Sequence, residues 1–389
     1  MSKILKVLFI TGRLYPWNFG GGGSVQYNLV RSISEFASVE MTTLGTVPLG
    51  RKQTLSYPAN VRVIAYNTPG ANDSVSDVVA SNFLYARVIK YIKEYQIVHF
   101  NILPGFRVGS FFEMARRVSP TAKFILNLHD IPEEVDLYSA GSGSAQLAKL
   151  HYLLSFSKLG AFDALVTNSR FIASRYKARI NHQRLVVIPN GVESSLFAYA
   201  PEANGDSNIL SYGSIAPKKG GETLIRAFAR SELARKAHIL MFVGQGVGGY
   251  ELHLQRLAKM LGIEGRVRFQ GPLPRNKLIA RISRSSFCVF PSLWEGFGIA
   301  ILEAMALGKA VIATRLGGPS DFIEHGIDGL LVDPVDTEKL ASSIDLLCID
   351  SELRTRLARN ARVKAKKYTW NEIGRQYFEL YNGLAKSPL

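Results

Sequence analysis

The sequence of 389 residues contains only two cysteines, Cys288 and Cys348, too few for a disulfide framework or a cysteine-bound metal cluster. Cys288 stands in an apolar run (287–290) and is expected to be a small buried residue. No stretch reaches the roughly 18 uncharged apolar residues that span a bilayer. The apolar run near the N-terminus is broken by Lys6, which predicts a strand rather than a signal peptide. We therefore expect a cytoplasmic protein, at most peripheral on the inner face of a membrane.

The motifs that mark several hydrolases and metalloenzymes are also missing. The sequence has no H-E-x-x-H helix, no G-x-S-x-G nucleophile elbow and no Walker G-x-x-x-x-G-K-[ST] loop. These absences argue against zinc proteases, serine hydrolases of that type and P-loop ATPases. They predict a site without a metal ion or a resident cofactor.

Acidic residues are scarce relative to basic ones: 47 Lys and Arg against 31 Asp and Glu give a net charge of +16. Most of the excess lies in residues 1–189, which hold 21 basic and 11 acidic side chains. Such an excess favours an acidic partner, such as nucleic acid, an anionic membrane surface or a phosphorylated small molecule. No nucleic-acid recognition motif accompanies the charge, so nucleic acid is not expected.

Two predicted helices, 82–94 and 107–118, place basic residues beside apolar ones, as a helix on an anionic membrane surface would. A solvated basic face is the alternative. The basic residues are Arg87, Lys90, Lys93, Arg116 and Arg117, and the apolar ones are Phe83, Leu84, Tyr91, Phe111 and Phe112.

Short aliphatic runs alternate with helical patterns along the whole chain, which predicts doubly wound parallel sheets. Thirteen strand candidates exceed the roughly five or six strands of a usual sheet, so we expect two sheets in two domains. The segment 193–208 has little periodicity and is the expected boundary. Ligands of such folds bind at the carboxyl ends of the strands, which makes a cleft between the domains the expected site.

Two glycine-rich loops follow predicted strands and open predicted helices. The run Gly20–Gly23 allows a close backbone approach to a ligand and aims helix N–H groups at an anion; a plain connecting loop is the alternative. The loop 244–249 matches G-x-G-x-x-G, and Glu264 follows about 20 residues later, as in NAD-binding sites. Because Glu264 precedes its strand instead of ending it, an NAD-dependent oxidoreductase is only an alternative.

A third loop, 214–221, carries Lys218 and Lys219 beside a predicted helix N-terminus. Two ammonium groups next to a helix dipole suit a diphosphate. A solvated lysine pair on the surface is the alternative.

The most specific segment is 291–308, Pro-Ser-Leu-Trp-Glu-Gly-Phe-Gly-Ile-Ala-Ile-Leu-Glu-Ala-Met-Ala-Leu-Gly. Glu295 lies in a predicted strand-to-helix turn, where Gly296 and Gly298 free the backbone. Glu303 follows in an otherwise apolar helix, where a carboxylate is costly unless hydrogen-bond donors meet it. Sugar or ribose hydroxyls are such donors, and a solvent-exposed Glu303 is the alternative.

His129 and Asp130 end the predicted strand 124–128, where a catalytic group of the first domain would face the cleft. No metal-ligand spacing accompanies this pair. A structural histidine is the alternative.

Taken together and in order, these segments resemble the retaining family-four glycosyltransferases of GT-B fold over nearly the whole chain. Each glycine loop alone has low specificity, whereas the E-x7-E segment in its full context is highly specific. The resemblance implies two doubly wound, Rossmann-like α/β domains facing across a cleft. They are an acceptor-side domain (1–200) and a donor-binding domain (201–367), followed by a C-terminal helix (368–389) that packs back on the first domain. The landmarks are Gly20–Gly23, His129 with Asp130, 187–192, Lys219 with Gly220, 242–246, Glu295 with Glu303, and 317–319.

The resemblance implies that a sugar moves from a nucleoside diphosphate sugar to an acceptor hydroxyl, with retention at the anomeric carbon. The acceptor would be a glycan, a lipid-linked molecule or a small molecule. The resemblance assigns Glu303 to the donor ribose. His129, Lys219 and Glu295 would form the catalytic group: His129 near the reacting sugar, Lys219 at the departing phosphate and Glu295 at a hydroxyl of the donor sugar. It also places in the donor site Gly21, Gly22, Ser214, Lys218, Gly244, Leu273, Gly296, Phe297, Gly298 and Ile299.

No carboxylate can be assigned a place beneath the anomeric carbon, which favours a front-face mechanism over a covalent intermediate. In that mechanism the leaving phosphate takes the proton of the acceptor, and fixed cations and helix dipoles aimed at the phosphate lower the barrier without a metal ion. The chain departs from the family at Ser214, where many members carry an arginine, and at Gln245, where many carry an aspartate. Ser214 keeps a non-catalytic nucleotide-sugar-binding protein as the alternative function.

Overall fold

The computed structural model describes residues 4–14, 21–48, 57–68, 87–101, 108–129, 159–180, 182, 184–199, 208–232, 236 and 238–387. The chain divides into two compact units. The first unit comprises Met1–Gly191 and Trp370–Leu389, and the second comprises Val192–Thr369.

Within the described residues, the sheet of the first unit has seven parallel strands in the order β3-β2-β1-β4-β5-β6-β7. The strand order reverses between the neighbours β1 and β4, and open α/β sheets bind ligands outside the carboxyl ends of such strands. The strands are β1 (Leu5–Arg13), β2 (Val39–Pro48), β3 (Val61–Thr68), β4 (Ile97–Phe100), β5 (Lys123–Leu128), β6 (Ala164–Thr167) and β7 (Leu185–Val187).

The sheet of the second unit has six parallel strands in the order β10-β9-β8-β11-β12-β13. Its order reverses between β8 and β11, so the loops after these two strands are the expected ligand-binding loops. The strands are β8 (Asn208–Tyr212), β9 (Ile239–Val243), β10 (Val267–Gln270), β11 (Phe287–Phe290), β12 (Val311–Thr314) and β13 (Leu330–Val332). The two parallel sheets and their thirteen strands confirm the prediction.

Parallel neighbouring strands need crossover connections, and helices lie in many of these connections in the described residues. In chain order, the described helices are α1 (Gly21–Ser34), α2 (Val108–Val118), α3 (Arg170–Lys177), α4 (Gly221–Arg230), α5 (Tyr250–Met260), α6 (Arg275–Arg284), α7 (Ile299–Ala306), α8 (Pro319–Phe322), α9 (Thr337–Ile349), α10 (Ser351–Ala365) and α11 (Trp370–Lys386).

Apolar residues fill the central strands of the second unit, where apolar clusters that include helix residues cover both faces of the sheet. Every residue of β11 and of β12 is buried. Successive residues of a strand point to opposite faces, so Phe287 and Cys288 belong to different apolar clusters of the second unit. Cys288 is buried, as its apolar neighbours predicted.

The C-terminal helix α11 packs against α1 of the first unit, which confirms the prediction that the last helix returns to the first domain. A Cβ atom on Gly374 would lie only 2.7 Å from Ser32 Oγ, so glycine is needed where the two helices approach. Phe36 and Phe378 stack beside this point with ring centroids 4.5 Å apart.

The aromatic residues of α2 do not form a membrane-facing surface, so this part of the sequence-based expectation is wrong. Phe111 and Phe112 are only 5% and 6% exposed, and both pack edge-on against Phe124 of β5. Arg116 forms an ion pair with Asp163 at 2.8 Å. The amphipathic pattern of α2 therefore reflects packing on the sheet, since core and membrane faces share the same helical period.

The predicted helix 82–94 lies partly outside the described residues. Its described end includes a short 3-10 helix, Ile92–Glu94. Within the described ranges, no helix combines the length and the apolar character that a bilayer crossing requires.

A buried histidine on β4 makes the stability of the protein sensitive to acid. Burial lowers the pKa of His99 to about 3, well below the usual value of 6.5. Between about pH 6.5 and about pH 3 the unfolded chain therefore binds a proton that the folded ring does not, so the free energy of unfolding decreases as the pH falls. The slope from one such group is at most about 1.4 kcal/mol per pH unit.

We expect His99→Gln to reduce this slope, measured by urea unfolding at about pH 7, 6 and 5 with circular dichroism. Tyr381→Phe is the control, because it removes a hydroxyl bonded to His99 but keeps the buried ring, so stability should fall while the slope is retained. Equal slopes in wild type and His99→Gln would contradict the assignment.

Candidate functional site

The loops after β8 and β11 lie side by side, since these two strands pair in the sheet of the second unit. A Cβ atom on Gly220 would lie 1.9 Å from the carbonyl oxygen of Pro291, so only glycine permits this approach. The backbone N–H of Leu293 donates to the carbonyl of Lys218 at 2.8 Å. These contacts bring the lysine loop and the glutamate loop together at the predicted edge of the sheet.

Lys219 and Glu295 form an ion pair at the centre of this arrangement. The Lys219 Nζ atom lies 3.1 Å from Glu295 Oε1 and 2.8 Å from Oε2. The Ser292 hydroxyl donates to the same Oε2 at 3.0 Å. The two charged side chains are 35% and 17% exposed, so the pair remains accessible to a ligand. Two residues that the sequence placed in one donor site are therefore in direct contact.

Two glycines of the next loop hold the backbone around Glu295. Gly317 has a φ of +117°, and a Cβ atom there would lie 2.0 Å from the carbonyl oxygen of Glu295. The N–H of Gly318 donates to that same carbonyl at 2.8 Å. A side chain at Gly318 would also collide with Phe297, because its Cβ atom would lie 2.4 Å from the Cα atom of Phe297.

Helix α7 begins directly after this turn. Gly298 precedes its first residue, Ile299, and has a φ of +97°. Phe297 is buried and packs against Phe322, with ring centroids 5.1 Å apart. The first backbone N–H groups of a helix have no carbonyl partner within it, and the helix dipole adds partial positive charge there. This N-terminus is suited to hold part of a phosphate group.

Glu303 lies one turn into α7, and its donor in this structure is a guanidinium group. Arg275 Nη2, at the start of α6, lies 2.7 Å from Glu303 Oε1 and 3.4 Å from Glu193 Oε1. The Glu303 side chain is only 14% exposed. Burial raises the pKa of the Glu303 carboxyl, and the charge of Arg275 opposes that rise. The Glu303 carboxylate thus receives part of its hydrogen bonding from Arg275, a residue of the protein itself.

Three further predicted donor-site residues lie in loops that follow strands of the second unit. Lys218 Nζ lies 3.6 Å from the ring centroid of Trp294, a cation–π contact. Ser214 is exposed in the loop after β8. Leu273, after β10, packs against the same apolar cluster as α7.

Backbone packing explains why the first position of the G-x-G-x-x-G loop, Gly244, is a glycine. Gly244 has a φ of +150°, and a Cβ atom there would lie 1.7 Å from the carbonyl oxygen of Gly213. The loops after β8 and β9 then pair through Ile215 and Gly246. Close packing of two loops therefore accounts for this glycine without a dinucleotide.

In the first unit, Gly21 and Gly22 are the first residues of α1, which follows β1. Gly20 and Asp130, which belong to the same predicted motifs, lie outside the described residues. Both described glycines stand at a helix N-terminus next to the reversal of strand order, where the sequence predicted an anion-binding loop.

His129 follows β5 and is half-buried. Its Nε2 atom lies 2.9 Å from Oδ1 of Asn101. Asn101 directly follows β4, and its backbone N–H donates to Ile10 of β1 at 2.8 Å. His129 is thus tied by its ring to a residue at the reversal point of the first sheet.

Sequence reasoning missed three side chains that contact the predicted residues: Arg275, Ser292 and Asn101. Arg275 is only two residues beyond Leu273, but its contact with Glu303 joins two different helices, α6 and α7. Ser292 lies three residues before Glu295 in the same motif, so the sequence offered a signal for it. Nothing in the sequence around Asn101 points to His129. In the described ranges, no three His, Cys, Asp or Glu side chains are grouped as metal ligands would be.

Comparison with known families matches both parts of the chain. Residues 19–196 match the family described as "Glycosyltransferase Family 4". Residues 196–364 match the family described as "Glycosyl transferases group 1". The two matches adjoin and together cover most of the chain.

A curated relative with a similar sequence is D-inositol 3-phosphate glycosyltransferase of Corynebacterium jeikeium. It is 35% identical over 177 residues, which are 44% of this chain and 42% of that protein. The matched part of the chain spans between about a third and about three fifths of the length of such relatives.

Solved structures show the same fold over nearly the entire chain. Sucrose-phosphate synthase from Thermosynechococcus elongatus superposes with a TM-score of 0.79 at 22% identity, covering 98% of this chain and 99% of that one. Anabaena HepE, solved in complex with UDP and glucose, superposes with a TM-score of 0.72 at 20% identity, covering 97% and 100%. The GT-B fold predicted from the sequence is confirmed.

The close approach of Gly317 to Glu295 generates a prediction about stability. We expect Gly317→Ala to lower the free energy of unfolding by about 2 kcal/mol or more, because alanine disfavours positive φ and its methyl group collides with backbone. Gly265→Ala is the control, since no atom lies within 4 Å of its added Cβ position. Thermal unfolding of both variants measures the difference, and equal melting temperatures would contradict this interpretation.

Proposed function

The chain belongs to glycosyltransferase family 4, and from this membership we propose that it is a retaining glycosyltransferase that uses a nucleoside diphosphate sugar. The acceptor is a hydroxyl group of a second molecule. The observation that carries the proposal is the contact between Lys219 and Glu295 beside the N-terminus of α7, with Glu303 one turn further along that helix.

The proposed reaction develops charge that this arrangement can stabilise. As the bond between the anomeric carbon and the diphosphate breaks, positive charge grows on the sugar ring and negative charge grows on the leaving oxygen. An ammonium group and helix N–H groups, already oriented in the folded protein, favour that negative charge without reorganisation. We assign this role to Lys219 and to the N–H groups that begin at Ile299.

The two glutamates would bind hydroxyl groups of the donor. Glu295 would accept a hydrogen bond from the donor sugar while keeping Lys219 in place. Glu303 would accept from the ribose, and its low exposure supports this role because a buried carboxylate oxygen favours added donors. Arg275 shares the Glu303 carboxylate here, so ribose binding would redistribute the hydrogen bonds of that guanidinium group.

We propose a front-face transfer that requires no metal ion. The acceptor oxygen bonds to the anomeric carbon on the side that the diphosphate leaves. The departing phosphate oxygen takes the hydroxyl proton of the acceptor, so charge and atoms balance within the two substrates. In this proposal, Lys219 supplies the cationic stabilisation of the leaving group.

The residues of the first unit keep the roles that the family resemblance implies, as part of the proposal. Gly21 and Gly22 would approach the diphosphate through their backbone, and His129 would bond a hydroxyl of the reacting sugar. A cytoplasmic location remains an expectation. Phe111 and Phe112 are buried, so they do not support an anionic membrane surface as a partner.

The alternative function is a non-catalytic protein that binds a nucleotide sugar, and Ser214 is the observation that favours it. Ser214 is exposed in the loop after β8. At this position, many members of the family that the sequence resembles carry an arginine, which would add a second cation beside Lys219. The oxidoreductase alternative is set aside, because both family matches are to glycosyltransferases. Consumption of the donor by purified protein separates an enzyme from a binding protein.

A nucleotide screen tests the donor assignment. We expect one of UDP, GDP and ADP, or its sugar conjugate, to raise the melting temperature by several degrees through preferential binding to the folded state. UDP is the first candidate because the similar HepE structure contains UDP. For the stabilising nucleotide, Glu303→Ala should weaken binding at least tenfold in calorimetry, and Glu338→Ala, an exposed glutamate on α9, should not. Unchanged affinity in Glu303→Ala would reject the ribose assignment.

Lys219→Ala tests the stabilisation of the leaving group. We expect kcat for sugar transfer to fall at least tenfold, which corresponds to about 1.4 kcal/mol of transition-state stabilisation. The control is Lys259→Ala, which removes an exposed lysine from the last turn of α5 and should leave kcat unchanged. A Lys219→Ala protein that keeps wild-type kcat would remove Lys219 from the mechanism.

A further inference from the structure

A line of buried polar side chains connects the C-terminal helix to His129 within the first unit. The Tyr377 hydroxyl of α11 donates to Oδ1 of Asn127 on β5 at 3.1 Å. Asn127 Nδ2 donates to Oδ1 of Asn101 at 2.7 Å, and the same oxygen lies 2.9 Å from His129 Nε2. Tyr377, Asn127 and Asn101 are only 4%, 4% and 6% exposed.

The direction of these hydrogen bonds determines which nitrogen of His129 carries a proton. An amide oxygen can only accept, so His129 Nε2 must donate to Asn101 Oδ1. The Asn101 oxygen is oriented in turn by the amide of Asn127, whose own oxygen accepts from Tyr377. When the ring is neutral, the proton therefore resides on Nε2 and the lone pair on Nδ1.

A second hydrogen bond from the same helix reaches a histidine beside this line. Tyr381, one turn after Tyr377, bonds through its hydroxyl to Nδ1 of the buried His99 at 2.5 Å. Burial lowers the pKa of His99 to about 3, so His99 adds no charge beside His129 at neutral pH. Asn127 acts on His99 as a hydrogen-bond partner that raises its pKa against the effect of burial, so Tyr381 is linked to the same amide through His99.

We propose that Asn101 and Asn127, oriented by Tyr377, are positioning residues that hold His129 as its Nε2–H tautomer. The unprotonated Nδ1 is then the ring atom that can accept a hydrogen bond, such as one from a sugar hydroxyl. The consequence for catalysis rests on the proposed function, in which His129 bonds the reacting sugar. The tautomer itself does not depend on that function.

Nitrogen-15 magnetic resonance of histidine-labelled wild-type protein tests the tautomer directly. The spectrum is recorded at roughly pH 8.5, about two units above the usual histidine pKa, so that the ring is neutral. His129→Gln identifies the His129 signals by their loss. We expect a protonated Nε2 and an unprotonated Nδ1. A proton on Nδ1 overturns the proposal, whether or not the protein transfers sugar.

Two substitutions at one position test whether Asn101 is the cause. Asn101→Leu removes the accepting oxygen at similar volume, so both tautomers should become populated. Asn101→Asp keeps an accepting oxygen and should retain the Nε2–H form. A folded Asn101→Leu protein with the wild-type tautomer overturns the role of Asn101.

Two buried tyrosines of the first unit provide a matched kinetic test that does not require Asn101→Leu to fold. Tyr377→Phe removes the hydroxyl bonded to Asn127, and Tyr95→Phe removes a buried hydroxyl bonded to Thr42, which is not part of the line, so similar losses of stability are expected. Only Tyr377→Phe should lower kcat, by about two- to tenfold as for one hydrogen bond, with the KM for the donor unchanged in both. Equal kcat values in the two variants overturn the positioning role. If wild type transfers no sugar, the proposed function fails, and the tautomer measurement alone decides this inference.

Discussion

In the second unit, the backbone at Gly220 lies against the carbonyl of Pro291, and the arrangement of the candidate site depends on this approach. The approach joins the loops after two neighbouring parallel strands, one carrying Lys219 and the other Glu295. Without this approach, the side chains of Lys219 and Glu295, which are 76 residues apart in the sequence, would not be brought into contact. Close backbone packing therefore comes first, and the ion pair follows from it.

In the first unit, the comparable arrangement depends on hydrogen bonds between buried polar side chains instead of on glycines. Polar residues at the ends of β4 and β5 are buried, where an unpaired amide would cost free energy. Their partners come from α11, which is nearly 250 residues further along the chain from Asn127. The returning C-terminal helix thus completes both the apolar packing on α1 and the hydrogen bonding beneath His129.

Much of the fold could be predicted because the signals are local. Buried parallel strands appear as short apolar runs, and glycine-rich turns mark the points where strands give way to helices. The segment from Glu295 to Glu303 was recognisable for the same reason. The amphipathic pattern of α2 was misleading, since Phe111 and Phe112 would show the same period whether they faced lipid or the sheet. Only the packing of α2 on β5 distinguishes the two.

The sequence by itself determined the two parallel sheets, the order of the motifs and the family. It did not determine that Arg275 meets Glu303, or that Asn101 and Asn127 lie between Tyr377 and His129. Those contacts join segments far apart in the chain, and no periodicity or spacing encodes a pairing across such distances. The tertiary structure decided them, because parallel strand order brings the carboxyl ends of distant strands to one edge and burial then requires each polar group to find a partner.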